Sequence, residues 1–190
     1  ATFATAPVAA RVFHSVEESL TEMGFNLIVC QPGKSRRLPP IIETGQIDGL
    51  LLHGAAPDPQ LRKLLSRQPS VWMLTQRSKR GYWGDRVCPD NEAIGRLTAD
   101  YLTGRGLKTL VQLTVAGSHL GFGLRHEAFV ENAEAAGASV VSLPLEGYTD
   151  KHDQVDEEYV DQVVARILAL GPRPVGVFVP RDRITVLVHR

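Results

Sequence analysis

The chemistry in this sequence sits in polar side chains that follow short apolar runs. His53 follows Leu50–Leu52; Thr75, Gln76 and Arg77 follow the run from Val71 to Leu74; Asp90 comes shortly after Val87. Ser118 and His119 come after the run from Thr109 to Val115, Tyr148 after that from Ser139 to Leu143, and Arg181 with Asp182 after that from Val175 to Val179. Arg125 stands in the first turn of a predicted helix behind a glycine-rich stretch. Carboxylates accept hydroxyl protons, guanidinium groups fork two donated bonds, and an aromatic face takes an apolar ring surface. The mixture suits a small polyhydroxylated molecule. Taken singly, each residue has an ordinary job: Asp90 as a helix N-cap, Arg125 as a solvated helix residue, His53 as a strand-end histidine. Their shared position at strand ends sets the group apart, because parallel sheets bind ligands at the carboxyl ends of their strands.

Other chemistries lack their motifs. The stretch from Gly117 to Gly123 could cradle an anion at a helix start, but it has neither the GxxxxGK[ST] of a phosphate loop nor GxGxxG spacing. There is no GxSxG elbow and no HExxH, and the pairs Glu17 with Glu18 and Glu157 with Glu158 read as solvated helix faces. Cys30 and Cys88 have no CxxC or Cys/His spacing, which argues against zinc and for buried, reduced thiols. No catalytic residue, metal or cofactor is therefore expected. Lys plus Arg and Asp plus Glu are both 21, so no basic stripe marks a phosphate-backbone surface on this segment. Any contact with nucleic acid belongs outside it. Tyr82 and Trp83, in a basic loop, read as part of a surface connection. No apolar run approaches the roughly 20 residues of a membrane span.

The elements that must position these residues follow from apolar spacing. Helical periodicity predicts helices over Pro7 to Gly24, around Pro39 and Pro40, over Pro57 to Gln68, from Asp90 to Gly104, from Leu124 to Ala136 and from Val155 to Leu170. Compact apolar runs predict buried strands at Phe25 to Cys30, Ile47 to His53, Val71 to Leu74, Thr109 to Val115, Ser139 to Leu143 and Val175 to Val179, with a short one ending near Val87. In the helix after Asp90, Ile94, Leu97, Ala99, Tyr101 and Leu102 form the expected apolar positions. Alternating helices and fully apolar strands describe an α/β protein with parallel sheets covered on both faces. A lobe boundary is expected near residues 112 to 117.

Four stretches carry a resemblance whose order and spacing match almost the whole chain, from about Val8 to Asp182: EESLTEMGFNLIVC (Glu17 to Cys30), IDGLLLH (Ile47 to His53), DNEAIGRLTADYLTGRG (Asp90 to Gly106) and RHEAFVENAEAAG (Arg125 to Gly137). Together they resemble the effector-binding core of the LacI/GalR family of transcription regulators, which shares its fold with periplasmic sugar-binding proteins. The phrase ALGPRPVGVFVPRDR (Ala169 to Arg183) also resembles the xylose-operon regulators, in which a similar sensing domain precedes an AraC-type DNA-binding domain. The resemblance implies a periplasmic-binding-protein-like type I fold of two lobes, each a parallel sheet flanked by helices. Residues 1–113 would form the N-terminal lobe and 114–190 part of the C-terminal one, with both ends incomplete and the DNA-binding domain outside this chain.

It further implies effector contacts at Thr5, in the loop from Ala4 to Pro7, and at His53, Asp90, Arg125, Tyr148, Arg181 and Asp182. Arg125, with Phe129, matches the family's R-x-x-x-F arginine that grips effector hydroxyls, and Tyr148 falls near an aromatic that stacks on a sugar ring. Asp182 matches the aspartate of an Asn-Asp pair, but Arg181 replaces the asparagine, so either the ligand carries negative charge or this arginine turns outward. The implied function is a ligand-sensing domain of a cytoplasmic, homodimeric regulator. A sugar or sugar-like effector in the interlobe cleft would alter operator DNA binding, with no membrane involved. The alternatives are a periplasmic sugar-binding protein of a transport system and an α/β enzyme acting on a small polar substrate.

Overall fold

A computed structural model describes residues 7–30, 38–76, 81–115, 120–145, 157–171 and 174–189. The order of elements is α1 (Pro7–Glu22), α2 (Pro40–Glu43), β1 (Leu50–Leu52), α3 (Pro59–Leu65), β2 (Ser70–Met73), β3 (Asp85–Val87), α4 (Asn91–Thr103), β4 (Thr109–Val115), α5 (Leu120–Ala135), β5 (Ser139–Leu145), α6 (Glu157–Ala169), β6 (Val175–Phe178) and α7 (Asp182–His189). They divide into two compact units, Ala1–Leu50 with Asp58–Pro69, and Leu51–Pro57 with Ser70–Arg190.

The first unit holds α1, α2 and α3. Gly24, at φ +81°, takes the left-handed conformation after α1, which lets the Phe25 amide reach back to the Leu20 carbonyl at 2.8 Å. Asp58 caps α3, accepting from the amides of Gln60 and Leu61 at 3.0 and 3.1 Å, and Pro59 occupies the first helical position where no amide is needed. The run from Phe25 to Cys30, expected as a buried strand, is not a strand. Ile28 and Val29 are more than half exposed while Leu27 and Cys30 are half-buried, and no strand among the described residues pairs with the run. Along α1 the stripe Val12, Phe13, Val16 and Leu20 is half-buried rather than buried.

The second unit carries most of the architecture. One three-stranded sheet has the order β1-β2-β3, with β2 parallel to β3. The other has the order β5-β4-β6, parallel throughout, with β4 central. Strand alternation splits the side chains of β4 between two cores. Val111, Leu113 and Val115 pack with Val163 and Ile167 of α6 and Ile184 of α7, while Leu110 packs with Ala99 of α4 and Phe129 and Ala133 of α5. A sheet covered on both faces buries continuous apolar strands, as the composition predicted. The exceptions on β4 are Thr109 and Gln112, only 6% and 3% exposed.

Three local expectations change. The helix predicted from Leu124 begins at Leu120, so Gly121 and Gly123 are helical. On α4 the buried residues are Asn91, Gly95 and Ala99, whereas Leu97 and Tyr101 are exposed on the other side. The stripe of small residues has a cause: α4 packs so tightly on α5 that a Cβ on Gly95 would stand 2.9 Å from the Phe129 amide and 3.0 Å from the Ala128 Cβ, and would also collide with the Arg125 carbonyl. The cysteines are partly exposed rather than buried, and both are free. Residue 113 lies inside β4, and α4, which precedes it, shares its core with α5 and the second sheet.

Candidate ligand-binding site

Strand β4 connects through α5 to β5 on one side, and α6 then returns the chain to β6 on the other side of β4. Reversal of the winding direction puts a topological switch point at the carboxyl ends of β4 and β6, the place where parallel sheets take ligands. The first turns of α5 supply Phe122 and Arg125 to this place, and the segment after β6 supplies Pro180 and Arg181.

A chain of hydrogen bonds fixes Arg125 there. Its Nε donates to Asn91 Oδ1 at 2.7 Å and its Nη1 to the Pro180 carbonyl at 3.3 Å. Asn91, 6% exposed, in turn donates through Nδ2 to Gln76 Oε1 and to the Pro89 carbonyl, each at 3.2 Å. The Cys88 thiol donates to the same Gln76 oxygen at 3.2 Å. The segments after β2, β3 and β6 thus meet on one helix-borne arginine. Gly121 makes room for the arrangement, since a Cβ there would lie 2.8 Å from Asn91 Nδ2. The Phe122 ring completes it, with the Arg125 guanidinium carbon 5.1 Å and that of Arg181 4.9 Å from its centre.

The ends of β1 and β2 are joined separately. Thr75, 1% exposed, donates to the Met73 carbonyl at 3.0 Å and accepts from the Gly54 amide at 3.2 Å, while His53 Nδ1 lies 3.0 Å from the same Met73 oxygen. Between them Leu74 has φ +53°, a left-handed conformation uncommon for a residue with a side chain. Strain of this kind collects at functional sites, where the surroundings over-determine it.

The expected site residues are placed unevenly. Arg125 and Arg181 come together on Phe122, and Arg181 does not turn outward. Asp90 is exposed and caps α4, its Oδ1 accepting from the Ala93 amide at 2.9 Å. It is Asn91, the next residue, that enters the cluster. His53 ends β1 on the side of the first sheet and is exposed. Thr5 and Tyr148 lie outside the described residues, as do Arg77, Ser118 and His119, and Asp182 is placed only as the first residue of α7. Asn91 and Phe122 were missed as site residues. A sequence signal for Asn91 exists in the adjacent pair Asp90-Asn91, of which one residue suffices for the cap. Among the described residues, no group of His, Cys, Asp and Glu could hold a metal ion, and no helix is long and apolar enough to cross a membrane.

No protein-family model matches the chain. It is 26% identical over 203 aligned residues to the HTH-type transcriptional repressor PurR of Serratia proteamaculans, an alignment covering 96% of this chain and 60% of that protein. The chain therefore spans about three fifths of the length of this curated relative. Among solved structures, a LacI-family transcriptional regulator from Enterococcus faecium with bound ribose superposes with a TM-score of 0.71 at 19% identity, covering 97% of this chain and 66% of that one. The Cra transcriptional dual regulator of Pseudomonas putida in complex with fructose 1-phosphate gives 0.68 at 17% identity, covering 96% and 67%. With parallel sheets between helices and polar groups gathered at the strand ends, the chain has the type I periplasmic-binding-protein-like fold of LacI-type effector domains.

Proposed function

We propose that this chain is the ligand-sensing domain of a transcription regulator, taking a sugar or sugar-like effector between two lobes. The observation that carries the reading is the meeting of Gln76, Asn91, Arg125, Pro180 and Arg181 at the switch point. Structures of the same fold hold ribose and fructose 1-phosphate. The lobe expected over residues 1–113 is better ended just before α4, whose core is that of the second sheet; α4 onward then belongs to the second lobe. Asp90 then stands at the joint between lobes, where a ligand hydroxyl could reach the carboxylate that caps α4.

In this reading the protein has two lobe arrangements, and the effector shifts their balance only by its difference in affinity for the two. Operator binding belongs to a domain outside these residues, in a cytoplasmic homodimer, and the chain turns over no substrate. Calorimetric titration with ribose, fructose and fructose 1-phosphate tests the proposal. One of these is expected to bind with a one-to-one stoichiometry per chain, and Arg125→Ala is expected to weaken it by about a hundredfold, the loss of a charged, bidentate donor. Unchanged affinity in Arg125→Ala would exclude this site.

A further inference from the structure

We propose that the outward face of α4 is a contact surface for a second copy of this chain, packed antiparallel through Ala93, Leu97 and Tyr101. The inference concerns association between copies and stands apart from which ligand the domain takes. α4 turns Asn91, Gly95 and Ala99 inward, which leaves its opposite side to solvent. There Leu97 is 67% and Tyr101 58% exposed, and Ala93, one turn before Leu97, is partly exposed. Steps of four residues place the three on one stripe along the helix. A single exposed leucine is ordinary, whereas a continuous apolar stripe rimmed by charges marks a contact surface. The stripe is also ordered in advance. The Arg105 guanidinium carbon lies 3.7 Å from the centre of the Tyr101 ring, a cation–π contact that holds the ring on one face and leaves its other face and edge open.

The charges beside the stripe name its occupant. Arg96 and Asp100 stand one turn apart on the same flank, and both are exposed. Arg96 reaches Glu92 at 3.8 Å, a solvent-exposed pair, while Asp100 has no ion pair among the described residues. Two helices related by a two-fold axis present equal flanks to each other, because a closed two-fold contact uses one patch twice. With the axis at the level of Thr98, Arg96 of each copy faces Asp100 of the other, so one register yields two equivalent ion pairs. In that same register the two Leu97 side chains meet beside the axis, and Tyr101 of each copy enters between Ala93 and Leu97 of the other. The antiparallel arrangement also brings the positive end of each helix dipole beside the negative end of its neighbour. A parallel arrangement would instead set Arg96 level with Arg96 and Asp100 level with Asp100. The 13 residues of α4 span about 20 Å, too little for the roughly 1,000 Å² of a tight interface, so association in the micromolar range follows.

The test is sedimentation equilibrium of the purified protein from about 1 to about 500 μM, a range that brackets a micromolar association. Wild type is expected to gain mass with concentration, and Leu97→Glu to halve the mass reached at the top of the range. Each single reversal, Arg96→Asp or Asp100→Arg, places like charges together at both symmetric positions and is expected to weaken association about tenfold, more so at low salt. The double variant Arg96→Asp with Asp100→Arg rebuilds both pairs and is expected to return association to within about threefold of wild type. Melting temperatures of dilute samples show that the variants are folded, and the charge reversals carry the test by themselves should Leu97→Glu fail to fold. A wild-type mass that does not change with concentration overturns the inference and leaves the stripe to a different protein. A double variant as weak as its single parents overturns the antiparallel register. The substituted residues lie outside the cluster around Arg125, so either result leaves the sensing function to its own titrations.

Discussion

Two glycines in neighbouring helices should respond to the same substitution with opposite signs. Gly95 lies in α4 against α5, where an added Cβ would be 3.0 Å from the Ala128 Cβ and 2.9 Å from the Phe129 amide, in collision also with the carbonyl of Arg125. Carbon pairs rest at about 3.5–4.0 Å, so α4 and α5 must separate by roughly 0.5–1 Å to admit one methyl group. Overpacking of this kind costs about 1–3 kcal/mol, and the upper end applies because backbone, not a flexible side chain, stands in the way. Alanine recovers about 1 kcal/mol of helix propensity, leaving a net loss of about 2 kcal/mol in Gly95→Ala. For a chain of this length that is a fall of about 4–8 °C in melting temperature. Gly123, in α5, has no described residue within 4 Å of its missing Cβ, so Gly123→Ala should gain about 0.5–1 kcal/mol and melt a few degrees higher. Thermal denaturation followed by circular dichroism reads both. Because the obstructing carbonyl belongs to Arg125, Gly95→Ala should also weaken binding of whichever sugar the titrations identify. A Gly95→Ala protein that melts at or above wild type would refute the close packing of α4 on α5.

Asn91→Ala removes the anchor of Arg125 Nε and a donor to Gln76, and should cost about 2–3 kcal/mol, read as a lowered urea midpoint with unchanged slope. Asp90 has two candidate roles that separate cleanly: Asp90→Asn keeps a good cap and should preserve stability, while Asp90→Ala should lose about 1 kcal/mol. If the carboxylate also holds a ligand hydroxyl, both variants lose sugar affinity in calorimetry; if only the cap matters, neither does. Leu74→Ile keeps the volume but places a β-branched side chain at φ +53°, and should destabilise by about 1–2 kcal/mol in the same thermal assay, whereas an unchanged melting point would remove the strain at the end of β2.

Much of the second unit was legible because its elements obey one period at a time. Along Thr109 to Val115, Val111, Leu113 and Val115 face one core and Leu110 the other, so the apolar run is packed on both faces. Asp90 was readable as a cap because a short acceptor before a helical pattern has one common use. The run from Phe25 to Cys30 shows the converse: apolarity gives a strand only where a neighbouring strand supplies the ladder, and composition says nothing about the neighbour. Arg125 and Arg181 were found because strand ends can be counted along the chain. Their meeting on Phe122 was not legible, since 56 positions separate the two arginines and only the topology closes that distance.

The residues that escaped notice share a cause in the glycines. Glycine in a sequence is read first as punctuation, and Gly24 and Gly106, both at positive φ, do end helices. Gly95, Gly121 and Gly176 lie inside regular elements and serve another purpose, the close approach of a neighbour. A Cβ on Gly121 would take the space of Asn91 Nδ2, and one on Gly176 would stand 2.8 Å from Leu110 Cδ2 and 2.9 Å from Leu107 Cδ1. Taking the glycine-rich stretch as preceding the helix puts the predicted start at Leu124 instead of Leu120 and leaves Phe122 outside the helix it shares with Arg125. The same reading hid the contact between Gly121 and Asn91, and with it the reason Asn91 is buried while Asp90 is exposed. Substituting Gly121 by alanine should therefore act on ligand affinity through Asn91 and Arg125, even though glycine itself touches nothing with a side chain.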